Sequence, residues 1–109
     1  MKYFNSIESL PEKRIGEGLY ARFLHLDNMT ISFWRIEAGT ALLKHSHPHE
    51  QTTKLLSGEF IMSVGGQEKQ LSVDDSVIIP ANVEHGGSAL SDCMLMDVFT
   101  PVREDYKEL

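Results

Sequence analysis

A chain of 109 residues, 41% apolar and 24% charged, has the make-up of an ordinary globular protein. It is long enough to bury roughly two-thirds of its unfolded surface in one core without disulfide or metal staples. Its formal charge of −6 excludes a nucleic-acid surface, which needs clustered Lys and Arg, and leaves any anionic ligand to be drawn by local charge.

The single cysteine, Cys93, permits no internal disulfide and fits a reducing compartment. The N-terminal residues 1–8 lack the apolar run of a signal peptide, and no apolar stretch approaches the ~20 residues of a bilayer span. The expectation is a cytoplasmic protein with no membrane contact.

Residues 1–18 contain Pro11, Gly16 and Gly18 and no clear period, and read as an irregular lead-in to a single domain over 19–109. From Leu19 the pattern is that of strands: Leu19, Ala21 and Phe23 alternate with Tyr20, Arg22 and Leu24, and Asp27-Asn28 signals a turn. A second strand, Met29 to Ile36, sets Met29, Ile31 and Phe33 against Thr30 and Ser32. A third runs from Ala41 to His47 and is stopped by Pro48, which cannot donate to a ladder.

Strand signal resumes over Gln51 to Leu56. Phe60 to Val64 and Glu68 to Leu71 flank Gly65-Gly66, a two-residue hairpin signal. Ser76 to Ile79 follows the turn at Asp74-Asp75, Asn82 to His85 reads as a short loop or strand entry, and Cys93 to Phe99 is a last strong strand. The charged tail after Arg103 reads as a solvated end. With eight or more short strands and no amphipathic helix, the fold class is all-β, a sandwich or closed barrel whose interior can hold one ligand or ion.

Five histidines occur in the chain, three of them in His45-Ser46-His47-Pro48-His49 and a fourth at His85, about forty residues beyond His45. Imidazole is the usual side chain where a neutral nitrogen meets a metal ion, and residues two apart on a strand share a face. The third donor of the first segment comes from Glu50 or Gln51. Parity with His45 and His47 favours Gln51, although a proline intervenes.

The spacing Gly39-x5-His45-x-His47-x3-Gln51-x6-Gly58, followed by Asp74-x5-Pro80-x-Asn82-x2-His85, resembles the two motifs of the cupin superfamily. The resemblance implies a double-stranded β-helix, or jelly-roll barrel, with one divalent metal ion. The chain departs from the general pattern at Gln51 where Glu is usual, at Asp74 and Asn82 where Gly is usual, and at Ala89 where Asn often occurs. Asp and Asn also tolerate the left-handed backbone of such turns.

Three segments together, His45 to Gln51, Ile79 to Gly86 and Asp97 to Asp105, are similar to the small pectin-degradation cupins of the KdgF type. That likeness implies a metal set of His45, His47, Gln51 and His85. It implies an enzyme that opens 4,5-unsaturated monouronates from pectin or alginate breakdown to linear 4-deoxy-5-keto acids. Further functional residues of that family fall on Asp97, Phe99 and Arg103. Asp97 is then the proton-transfer group, Arg103 a catalytic and substrate-holding cation, and Phe99 a wall against the sugar.

The residues themselves leave alternatives. Asp97 shares a face with Leu95 and Phe99, where an unpaired carboxylate is costly; it points outward instead if Met94, Met96 and Val98 form the core face. Arg103 suits two-point contact with a substrate carboxylate, or pairs with Glu104 or Asp105 in the tail. Mixed nitrogen and oxygen donors suit Zn, Ni, Fe, Mn or Co. Two other functions fit the same pocket: a metal-dependent oxygenase on a small organic molecule, and a non-catalytic sensor or carbohydrate-binding module. The expected partners are a small anionic sugar and, through open sheet edges, a second copy of the chain in a homodimer.

Overall fold

Alternation of inward and outward side chains builds the whole molecule. The structure is a computed structural model that describes residues 2–109. Ten strands follow in order: β1 (Lys13–Gly16), β2 (Leu19–His25), β3 (Thr30–Ile36), β4 (Ala41–His45), β5 (Glu50–Ser57), β6 (Phe60–Val64), β7 (Gln67–Leu71), β8 (Ser76–Ile79), β9 (His85–Ala89) and β10 (Cys93–Thr100). They form a six-stranded sheet, β1-β2-β3-β10-β5-β8, and a four-stranded sheet, β4-β9-β6-β7, antiparallel at every pairing. Among the described residues no helix is long and apolar enough to cross a membrane.

The core lies between the sheets, where Ile36, Leu55, Phe60, Leu71, Ile79 and Leu95 pack against one another. Burying each such side chain contributes about 1.5–3 kcal/mol. Cys93 belongs to this core, and burial pushes its thiol up to about 11, which fits a small hydrophobic filler.

In β10 the inward set is Cys93, Leu95, Asp97 and Phe99, so the arrangement with Met94, Met96 and Val98 as core face is not the one adopted. In β3 the polar side chains Thr30 and Ser32 are fully buried, while Ile31 and Phe33 are only partly covered. The inner face is therefore polar over the first half of this strand, at Thr30 and Ser32, the reverse of ordinary amphipathic patterning, and apolar at Trp34 and Ile36.

Four segments differ from the sequence reading. The lead-in is not irregular: it carries a 3-10 turn at Ile7–Ser9 and strand β1. These elements have few apolar residues to reveal them. They are held by polar contacts, with Arg22 Nη1 donating to the carbonyls of Ile7, Glu8 and Leu10, and Arg35 binding Glu12 through Nε and Nη2.

Strand β4 stops at His45, and His47 lies in the connection to β5. The histidine at position 85 opens a full strand, β9, which Gly86-Gly87 hides by low strand propensity. Those glycines serve close approach: a Cβ on Gly87 would collide with the Ile61 carbonyl oxygen and the Phe60 ring. The tail is not merely solvated, since α1 (Glu104–Lys107) folds Tyr106 back onto the barrel.

Asp74 and Asn82 adopt φ of 74° and 65°, the left-handed backbone otherwise reserved for glycine. Asn82 N–H also donates to the His47 carbonyl at 2.8 Å, so this turn anchors the loop that carries His47. Asn82→Ala should therefore lower stability by about 1 kcal/mol, and Asn82→Gly should be close to neutral. Urea unfolding of the two variants beside the parent checks this.

Candidate metal centre

Strand register brings the histidines together. His45 on β4 pairs directly with His85 on β9, and their ring centroids are 4.3 Å apart. His47 closes the group, 4.8 Å from the His85 ring and 5.8 Å from that of His45. One nitrogen from each ring lies within 4.8 Å of those of the other two. Two metal–nitrogen bonds of ~2.1 Å reach at most ~4.2 Å, so small ring rotations suffice for all three to meet one ion.

The hydrogen bonds show which nitrogen is available. Nδ1 of His45 contacts the Leu43 carbonyl at 2.9 Å, Nδ1 of His85 the Val83 carbonyl at 2.9 Å, and Nδ1 of His47 the His49 carbonyl at 3.0 Å. A carbonyl oxygen only accepts, so each Nδ1 carries a proton, and in the neutral ring Nε2 presents a lone pair. Burial holds His47 and His85 below the usual imidazole range, which keeps them neutral.

Nε2 of His85 is buried and has no partner among the described residues. Nε2 of His47 faces Gln51 Oε1 at 2.9 Å. In the neutral ring that contact sets lone pair against lone pair, a conflict that a cation removes. The three histidines can thus hold a metal ion, and the donor chemistry fits one.

Gln51, buried on β5, points into the barrel, whereas Glu50 is exposed, as parity across the proline favours. Register places Gln51 beside Phe99 and Thr53 beside Asp97 on β10, with Ser32 of β3 on the other flank of Asp97. A polar stripe therefore crosses the six-stranded sheet and faces the histidines of the other sheet. The cavity between them has Leu42, Phe60 and Met62 on its apolar side and Trp34, Phe99 and Tyr106 as aromatic wall.

Asp97, only 8% exposed, receives the Thr53 hydroxyl at 2.6 Å. Burial pushes its carboxyl up to about 6, against the opposing pull of the Thr53 hydroxyl, the nearby Gln51 amide and the Arg103 charge.

Arg103 is placed differently from the other site residues. Its fork is taken by Asp105, with Nε on Oδ1 at 3.0 Å and Nη2 on Oδ2 at 2.8 Å. The side chain is nonetheless buried, stacked with its Cζ 3.9 Å over the Tyr106 ring and 4.7 Å from that of Phe99. Two-point contact with a substrate is thus pre-empted by the tail. Nη1 remains, buried and without a partner among the described residues.

Thr53, Trp34 and Tyr106 are cavity residues that sequence reasoning passed over. Thr53 had a signal, since it keeps the parity of Gln51; Tyr106 had none, sitting in a tail with no period. His49 supplies its carbonyl to His47, and its ring packs edge-on to His47 and Phe99. His25 is a hydrogen-bonded histidine, its Nδ1 2.9 Å from Thr30 Oγ1.

This barrel, with histidines at the mouth of two antiparallel sheets, is matched by the cupin domain family over residues 32–99, and the chain belongs to that family. An RmlC-like cupin from Shewanella frigidimarina superposes with a TM-score of 0.92 at 30% identity, over 97% of this chain and 96% of its own. KdgF from Halomonas sp. shares the fold, with a TM-score of 0.91 at 23% identity over 97% of this chain and 99% of its own. In sequence, the uncharacterized protein SCO3923 of Streptomyces coelicolor is 29% identical over 102 residues, 93% of this chain and 97% of that protein.

The buried carboxyl carries a testable sign. Its folded value, about 6, lies above the unfolded value near ~3.9, so ionisation opposes folding. That penalty is absent below the unfolded value, grows through the window between the two and is complete above the folded value. In metal-free protein Asp97→Asn should therefore add on the order of 2 kcal/mol of stability at pH 8 and little at pH 4. Urea unfolding at the two pH values, with chelator present, measures it.

Proposed function

We propose that the protein is a metal-dependent cupin enzyme that opens the ring of 4,5-unsaturated monouronates to linear 4-deoxy-5-keto acids. The observation that carries this reading is the pairing of an all-neutral donor set, His45, His47, His85 and Gln51, with a buried carboxyl poised near neutrality beside it. Motif likeness to the KdgF-type cupins and the shared fold with the Halomonas protein support the substrate class.

A divalent metal bound by these four residues supplies Lewis acidity undiminished by any charged ligand. The remaining work belongs to the chain. Phe99, Trp34 and Tyr106 offer aromatic faces to the sugar and exclude water from one side. Arg103 supplies positive charge through Nη1 as a single donor, Asp105 holding the other face of its fork.

Asp97, ionised at neutral pH, takes the proton of the anomeric hydroxyl as the ring carbon–oxygen bond breaks. It returns a proton to the adjacent carbon as the enol becomes a ketone, so that a single carboxylate serves both steps and the reaction is an isomerisation with no net proton change. The hydrogen bond from Thr53 fixes this carboxylate in place between the two transfers.

The test is to mix metal-loaded protein with unsaturated galacturonate and follow loss of the ultraviolet absorbance of the conjugated double bond. Turnover should be slowed by chelation and should decline as pH falls through about 6, where Asp97 becomes protonated. Asp97→Asn should keep its metal and lose ring opening by about 10²-fold or more. Absorbance unchanged by the loaded wild type would sink the reading. Oxygen uptake, with activity lost anaerobically, would point to an oxygenase instead.

A further inference from the structure

Gln51, Thr53 and Asp97 form a hydrogen-bonded series whose direction follows from proton count. Thr53 Oγ1 lies 2.6 Å from Asp97 Oδ1 and 2.9 Å from Gln51 Nε2. A threonine hydroxyl has one proton to give and lone pairs with which to receive. The carboxylate only accepts, so that proton goes to Asp97, and the lone pair must be met by an N–H. This assigns the nitrogen end of the Gln51 amide to Thr53 and turns Oε1 the other way, toward His47 Nε2 at 2.9 Å.

All three side chains are buried, so a mismatched contact has no bulk water to relieve it. A carboxylate at position 51, common in this family as a whole, would put two acceptors on one hydroxyl. With one proton to share, one close contact would become lone pair against lone pair, between two like charges.

We propose that Thr53 is a positioning residue that aims the carbonyl oxygen of Gln51 at the histidine cluster, and that the Asp97–Thr53 pair is what makes position 51 an amide. The first half rests on the metal-centre reading above. The second half is a statement about the metal-free protein. Thr53 thereby links the proton-carrying carboxylate to the donor set through its hydroxyl.

The experiment uses the intact protein at pH 8, above the value near 6 of Asp97. Co²⁺ is titrated calorimetrically into wild type, Thr53→Ser and Thr53→Val. Thr53→Val should bind Co²⁺ about 10–100-fold more weakly, whereas Thr53→Ser, which keeps the hydroxyl, should bind as wild type does. Equal affinity in all three overturns the positioning role. Failure of the wild type to bind Co²⁺ overturns the metal-centre reading itself.

The second half is judged separately by melting chelated protein. Gln51→Glu should lower the melting temperature by about 10 °C. Adding Asp97→Asn should restore it, because the amide introduced at 97 donates to the hydroxyl, which then donates to the carboxylate at 51. That gain should exceed the gain from Asp97→Asn in the wild-type background, and should shrink when Thr53→Val is present. Additive effects of the two substitutions, or a gain indifferent to Thr53, overturn the proposal, and this cycle also decides it should Thr53→Val melt too low for titration.

Discussion

Three main-chain carbonyls, those of Leu43, Val83 and His49, decide what the centre can do. Each receives the Nδ1 proton of a histidine two residues away, and each thereby leaves the opposite ring nitrogen bare. A side-chain acceptor could rotate out of reach; a carbonyl in a strand end or tight loop cannot. The tautomers are thus a property of the backbone, set by where β4 ends and β9 begins. The capacity for a metal and the facing of His47 Nε2 toward Gln51 follow from that arrangement, while burial keeps His47 and His85 neutral.

The barrel interior is divided between two jobs. One part, from Ile36 through Leu55, Phe60 and Ile79, is apolar and close-packed, and supplies the burial that holds the sheets together. The other part is the stripe of Ser32, Asp97 and Thr53 with Gln51 in the next row, which costs stability because a carboxyl is taken out of water. Apolar packing offsets that cost. The inverted patterning of β3 is where the division shows most clearly, since its hydroxyls lie inside and its Ile31 and Phe33 outside.

Much of this was legible in the residues because period-two alternation is insensitive to detail. Parity groups Gln51 with His45 and His47, and Asp97 with Leu95 and Phe99. Which face of β10 turns inward was open between two apolar sets, and packing against the other sheet selects Cys93, Leu95 and Phe99. Strand β9 escaped because its two glycines are there for approach distance, which a propensity scale counts as disfavour. Strand β1 escaped because polar contacts from Arg22 and Arg35, made across the fold, hold it in place of an apolar face. Tyr106 and the engagement of Arg103 by Asp105 depend on how a short helix folds back, and no local pattern encodes that packing.

The three histidines are not equally sheltered: His45 is exposed, His47 is half-buried and His85 is 3% exposed. A donor set graded in this way has a front and a back. Ligands at the back are preorganised by the fold, while the foremost one can swing away at small cost and let an incoming competitor approach from solvent. Kinetic lability would then reside in one side chain while thermodynamic affinity is shared among the others, so that residence time and binding strength can be altered independently.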